Sequence, residues 1–181
     1  MTVFEFVFSL YSLLFGLALA QLFGGFGNTL QERRKLKVGW LTPLLGLFVI
    51  FDLTSFWEIG WQMRGISRPY FLFLMGCVLL AGIYYLAARL VFPRNFVEWP
   101  DFDVYYFEHK HWVYGGILLC NVAAAAALVV VHASFMDSPI GFLNFLTYFV
   151  LLIGLLVLRL SRYAVFPVLT MLGVGMHGRV F

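Results

Sequence analysis

The chain has 181 residues, 62% of them hydrophobic and only 12% charged, with a mean hydropathy of +0.92 and a net charge of +3. Ordinary soluble domains are about 45–50% apolar and about 25% charged, and a domain of this size leaves roughly a third of its chain surface in water. The composition therefore excludes a soluble globule, a disordered chain, a collagen and a coiled coil, and points to a protein solvated by lipid.

A bilayer core of about 30 Å needs roughly 20 apolar residues of helix at about 1.5 Å per residue. Stretches 6–31, 69–88, 111–136 and 138–158 contain no Asp, Glu, Lys or Arg, and 38–62 is interrupted only by Asp52 and Glu58. These runs do not alternate in short segments as the strands of an outer-membrane barrel do. The expected fold is one all-α domain, a polytopic transmembrane bundle over 1–181 with six spans near 5–29, 39–61, 69–92, 111–134, 139–160 and 163–177. The last is short and carries Pro167, Gly173, Gly175 and Gly178. The alternative is five spans followed by a C-terminal re-entrant or interfacial segment. The first run has no basic residues before it and no evident cleavage site, and reads as a retained helix.

On the first span Gly16, Ala20 and Gly24 recur every four residues and predict a smooth packing face. In lipid, helix association relies on such close approach and on interhelical hydrogen bonds. The turn at 31–37 holds Arg33, Arg34, Lys35 and Lys37. It falls on the same side as Arg89, Arg94, Lys110, Arg159 and Arg162, against Arg64, Arg68 and Arg179 opposite. Cytoplasmic loops carry the excess of Lys and Arg, so the 31–37 turn is expected in the cytoplasm and the N-terminus outside. The positive charge is thus an orientation signal, with no nucleic-acid partner implied. Trp40, Trp99 and Trp112 near the inner edge, and Trp57 and Trp61 near the outer one, agree with these boundaries.

Asp52 is the most informative residue, an acid near the midplane of the second span, where it costs on the order of 2.5–3.5 kcal/mol and has to face the bundle interior or water. Ser9, Tyr11, Ser12, Ser55, Asn121, Thr147 and Tyr148 are available at similar depth to hydrogen-bond it. In one reading Asp52 fixes helix packing; in the other it binds a proton or cation, with Ser55, Tyr11, Ser12 and Asn121 as the surrounding site. Glu58, six residues on, lies about 240° around the helix, which disfavours a paired acid–base centre. Its expected role is a rim ion pair with Arg64 and Arg68.

The segment 94–110 is expected to be the longest cytoplasmic loop. Trp99, Asp101, Asp103, Tyr105 and Tyr106 make it too aromatic for a solvated linker. It reads either as an interfacial segment lying on the bundle or as a docking surface for a partner. On the fourth span Gly116, Cys120 and Ala124 repeat the small-residue spacing, and Cys77 and Cys120 read as buried apolar fillers. A haem reading would take His132 and His177 as axial ligands, but nothing else marks a haem pocket, and no cofactor or metal is expected. The string Gly173-Val174-Gly175-Met176-His177-Gly178 has the dinucleotide-binding spacing without the strand, helix and distal acid that give that motif its chemistry.

Several short strings carry a resemblance: Tyr11 to Ala20, Phe56-Trp57, Arg89-Leu90-Val91-Phe92-Pro93, and Asp103 to Phe107 with its Tyr-Tyr-Phe core. With them the chain resembles a loose group of small multi-pass bacterial inner-membrane proteins of uncharacterised function. The resemblance implies a bacterial six-helix bundle and carries over no activity or catalytic residues. Together these readings lead to a non-enzymatic inner-membrane protein that works by helix association, as a homo-oligomer or as a subunit of a larger membrane complex, with the bilayer and other membrane subunits as partners. The alternatives are a proton or cation conduit through Asp52 and a haem- or quinone-associated redox subunit.

Overall fold

A computed structural model of the chain describes residues 3–62, 71–131, 146–150 and 152–154. Four helices are defined, α1 (Val3–Glu32), α2 (Leu41–Gln62), α3 (Phe71–Val91) and α4 (Phe102–Val131), with further helix over 146–150 and 152–154. The fold is all-helical, as expected; the described residues form no strand, only an isolated bridge between Lys37 and Asp101. The helices begin and end where local chemistry directs. Glu5 lies in the first turn of α1 and Arg89 in the last turn of α3, each complementing the helix dipole. Pro43 falls in the first turn of α2, where its missing N–H removes no helical bond. Pro93 follows the end of α3 and disfavours helical backbone in the residue before it.

The fourth helix starts earlier than the apolar pattern suggests, and the loop expected over 94–110 is correspondingly shorter. The cause is a helix cap. Asp101 Oδ1 accepts the backbone N–H groups of Asp103 at 3.0 Å and Val104 at 3.5 Å, satisfying donors that the first turn leaves open. A hydropathy count misses this, because the charged first turns of α4 lie beyond the apolar run.

α1 packs chiefly on α3 and α3 on α4, while α2 touches all three, so α2 and α3 stand between α1 and α4. At one end Phe15, Phe56 and Tyr84 interlock, with ring centroids 5.1 to 5.7 Å apart. At the other, Phe92 sits edge-on to Phe26 at 4.8 Å. That contact depends on Gly25, since a methyl there would collide with the Phe92 ring.

Two helices, Glu5–Glu32 and Phe73–Val91, are long and apolar enough to cross a membrane, and Leu41–Trp57 is a shorter apolar helix. Their outward surfaces are apolar: Leu13 is 65% exposed, and Leu17, Phe23, Leu79 and Leu86 are similarly open. The interior holds Asp52, Thr42, Thr29 and Lys110 beside its apolar core. The expected spans at 139–160 and 163–177 lie almost wholly outside the described residues, as do Arg64, Arg68 and the side chain of Glu58.

Candidate functional site

Asp52 lies midway along α2 and is completely buried. Among the described residues, two elements reach its carboxylate. From α4, the Asn121 side-chain amide donates to both oxygens, at 3.3 Å to Oδ1 and 3.2 Å to Oδ2. Its second hydrogen goes to the Ile117 carbonyl at 3.0 Å, one turn back on its own helix. From the segment 146–150, the Tyr148 hydroxyl donates to Oδ1 at 2.5 Å, a length typical of a hydroxyl bonded to a carboxylate. One side chain thus joins α2, α4 and the 146–150 helix.

The chemistry of this arrangement is specific. Among the described residues every contact to the carboxylate is made by a donor, which suits the ionised group, an acceptor at both oxygens. When the carboxyl carries a proton, the Tyr148 oxygen is placed to accept it with no movement of heavy atoms, because a hydroxyl both donates and accepts. The site can hold or exchange one proton without rearranging the helices.

Ser55, Tyr11, Ser12 and Ser9, also expected around Asp52, are spent elsewhere. Ser55 returns its hydroxyl to the Asp52 backbone carbonyl at 2.6 Å, the local bond that serine favours within a helix. Tyr11 donates to the Phe56 carbonyl at 2.9 Å, and Ser12 accepts the Trp57 indole N–H at 3.2 Å. Both therefore meet α2 one turn beyond Asp52. Ser9 bonds the Glu5 carbonyl on its own helix. Tyr148 completes the site, and in the sequence it was one hydroxyl among several at the right depth. Separately, the Tyr84 hydroxyl is buried without a partner among the described residues.

The two small-residue faces have different surroundings. Gly116 and Cys120 turn toward α3, and Ala124 is buried: a Cβ at Gly116 would rest on Ala87 at 3.4 Å, and the Cys120 thiol points at the Leu80 carbonyl, 3.6 Å away. On α1, Ala20 and Gly24 are exposed, and a Cβ at Gly16 or Gly24 would meet no described residue within 4 Å.

The residues considered for docking form a seam with the 33–40 turn. Lys37 donates its backbone N–H to the Pro100 carbonyl at 2.9 Å, and its own carbonyl accepts the Phe102 N–H at 3.2 Å. Its ammonium lies 3.3 Å from Asp101, and Thr42 donates to the Phe102 carbonyl at 3.0 Å. Tyr105 and Tyr106 are buried; the Tyr105 hydroxyl reaches the Leu90 carbonyl at 3.1 Å, and its ring stacks on His109 at 4.0 Å with Trp99 edge-on. Burial pushes the Tyr105 hydroxyl up to about 12. Burial also raises Asp101, but the Lys37 ammonium and the N–H groups of Asp103 and Val104 outweigh it and hold that carboxyl below its ordinary value. Asp103 packs against Gly39, with Oδ1 lacking a partner among the described residues.

Among the described residues no group of three or more His, Cys, Asp and Glu is placed to hold a metal ion. His132 and His177 lie outside the described residues. Comparison of the chain with protein-family models, curated proteins and solved structures finds no match in any of the three.

Proposed function

We propose that this chain is a non-enzymatic multi-pass protein of a bacterial inner membrane, with six spans, the N-terminus outside and the Lys37–Asp101 seam in the cytoplasm. It works by associating with a second copy or with other membrane subunits. The carrying observation is inverted polarity. On α4, Trp112, Leu119 and Val122 face outward while Lys110, Tyr114 and the Asn121 amide turn inward. Water would favour the reverse, whereas hydrocarbon favours this arrangement. Exposed Trp40 and Trp112, 83% and 72% open near the seam, suit the headgroup layer. The small-residue face of α1, where a Cβ at Gly16 or Gly24 would meet no described residue, supports association through that face.

Three measurements test this reading. The chain should resist alkaline extraction from membranes, and protease should cut near Arg34 in inverted vesicles while sparing it in intact spheroplasts. Mass measurement in mild detergent should then give an oligomer or a complex. Release into plain buffer would defeat the membrane reading, and a clean monomer without a partner would defeat association.

A second reading, proton binding at Asp52, is favoured by the short Tyr148 contact and its capacity to exchange a proton in place. Reconstituted vesicles should then show proton uptake or flux that Asp52→Asn removes; unchanged behaviour in that variant rejects it.

A further inference from the structure

The ends of α1 and α3 lie together at the seam end of the bundle. Phe15 meets Tyr84 and, further along both helices, Phe26 meets Phe92, so α1 and α3 run in the same direction. Arg89 stands in the last turn of α3, Arg94 follows Pro93, and Arg33 and Arg34 follow α1. All four are exposed, and none has a hydrogen-bond or ion-pair partner among the described residues. Glu32, the acid at the end of α1, is taken by Lys35 at 2.8 Å. The other acids of the seam end go with α4: Asp101 holds Lys37 and caps the helix, Asp103 packs against Gly39, and Glu98 and Glu108 are exposed. The charge at this end is therefore sided, cationic at α1 and α3 and acidic at α4. The cationic side also borders apolar surface. Leu79, Gly82, Leu86 and Arg89 are all exposed and fall within a sector about 80° wide at 100° per residue, an apolar stripe about 15 Å long that ends in a guanidinium. That length is one leaflet's share of a bilayer core of about 30 Å.

We infer that this side of the bundle binds anionic phospholipid of the cytoplasmic leaflet, with an acyl chain along Leu79, Gly82 and Leu86 and the headgroup phosphate on Arg89, while Arg94, Arg33 and Arg34 add positive charge at the same end. The inference rests on the membrane reading proposed above and adds the class of lipid. Complementing the α3 dipole accounts for a cation at position 89 but leaves its N–H donors unused. A guanidinium presents paired donors that match two phosphate oxygens. Clustered arginines at the cytoplasmic edge of a membrane helix attract anionic headgroups over about a Debye length. A zwitterionic headgroup brings its own cation and gains less. The acids beside α4 repel the same headgroups, which confines the preference to the α1 and α3 side.

Native mass spectrometry of the full chain in mild detergent, titrated with phosphatidylglycerol or with phosphatidylcholine, tests this. Wild type should bind the anionic lipid more tightly. Arg89→Gln should reduce that preference by about fivefold, the effect of one arginine near an anionic surface, and adding Arg33→Gln and Arg34→Gln should reduce it further, with helix content unchanged by circular dichroism. Arg89→Lys, which keeps the charge and loses the paired donors, should fall between wild type and Arg89→Gln. Lys37→Gln makes the same charge change where Asp101 already holds the ammonium, and should leave the preference nearly as it was. Equal affinity for the two lipids, wild-type preference in Arg89→Gln, or an equal loss in Lys37→Gln would overturn the inference while leaving the membrane reading intact. Displacement of the lipid by millimolar inorganic phosphate would also overturn it, by showing a site for a soluble anion. A chain that stays dispersed in plain buffer without detergent would remove the membrane reading and this inference together.

Discussion

Asp52 and Asp101 are both aspartates that tie helices together, yet they do so by opposite means. Asp52, inside the bundle, is held by the neutral donors of Asn121 and Tyr148; Asp101, at the seam, is held by the Lys37 ammonium and by backbone N–H groups at the start of α4. The difference follows from solvent. A buried carboxylate without bonds loses its hydration outright, so each donor it has matters. A carboxylate at the surface keeps water as an alternative partner, and its ion pair is worth little.

Breaking the interior site should cost most. Asn121→Leu removes a donor from a carboxylate that water does not reach, and should lower stability by about 1–3 kcal/mol in mixed-micelle unfolding. A loss below that measured for Thr42→Val would invert the comparison. Thr42→Val, which removes a single neutral bond between the seam and α2, should cost about 1 kcal/mol in the same assay.

The pH response of Asp101 sharpens the contrast. Its folded-state pKa lies below the unfolded one, so its contribution is fully present above the unfolded carboxylate value, about 3.9, and is lost as pH falls through the lower folded value. Amide exchange at Asp103 and Val104, intrinsic pH dependence removed, should therefore stay protected through the ordinary carboxylate range and accelerate only below it. Asp101→Asn should weaken that pH dependence while retaining the cap, because asparagine caps helices as well as aspartate does.

The smallest effect belongs to Lys35. Its ammonium is raised by the hydrogen bond and the charge of Glu32, at 2.8 Å, but both side chains are open to water. Lys35→Ala should leave the unfolding midpoint within error, and a clear loss would show that the basic turn contributes more than orientation.

The sequence already marked Asp52 as the group that needs partners, since an acid in a long apolar run has to be compensated. It also placed Asn121 and Tyr148 among the polar residues at suitable depth. It did not separate them from Tyr11, Ser12 and Ser55, because depth along a helix says nothing about rotation around it or about which helix stands opposite. Only packing shows that Tyr11 and Ser12 meet α2 one turn past Asp52. The seam was legible as composition, an aromatic and acidic stretch beside a basic turn, but not as pairing. Lys37 and Asp101 are far apart in the chain, and their contact depends on how α1 and α4 are set against α2 and α3.

What the sequence determined by itself was the helical class, because the length and composition of an apolar run act locally. The tertiary structure decided which polar side chains reach Asp52, where Tyr105 and Tyr106 are spent, and that the small residues of α4 pack on α3 while those of α1 meet no described neighbour. Those outcomes depend on the relative rotation of whole helices, which is set by the combined packing of many side chains and is written in no single segment.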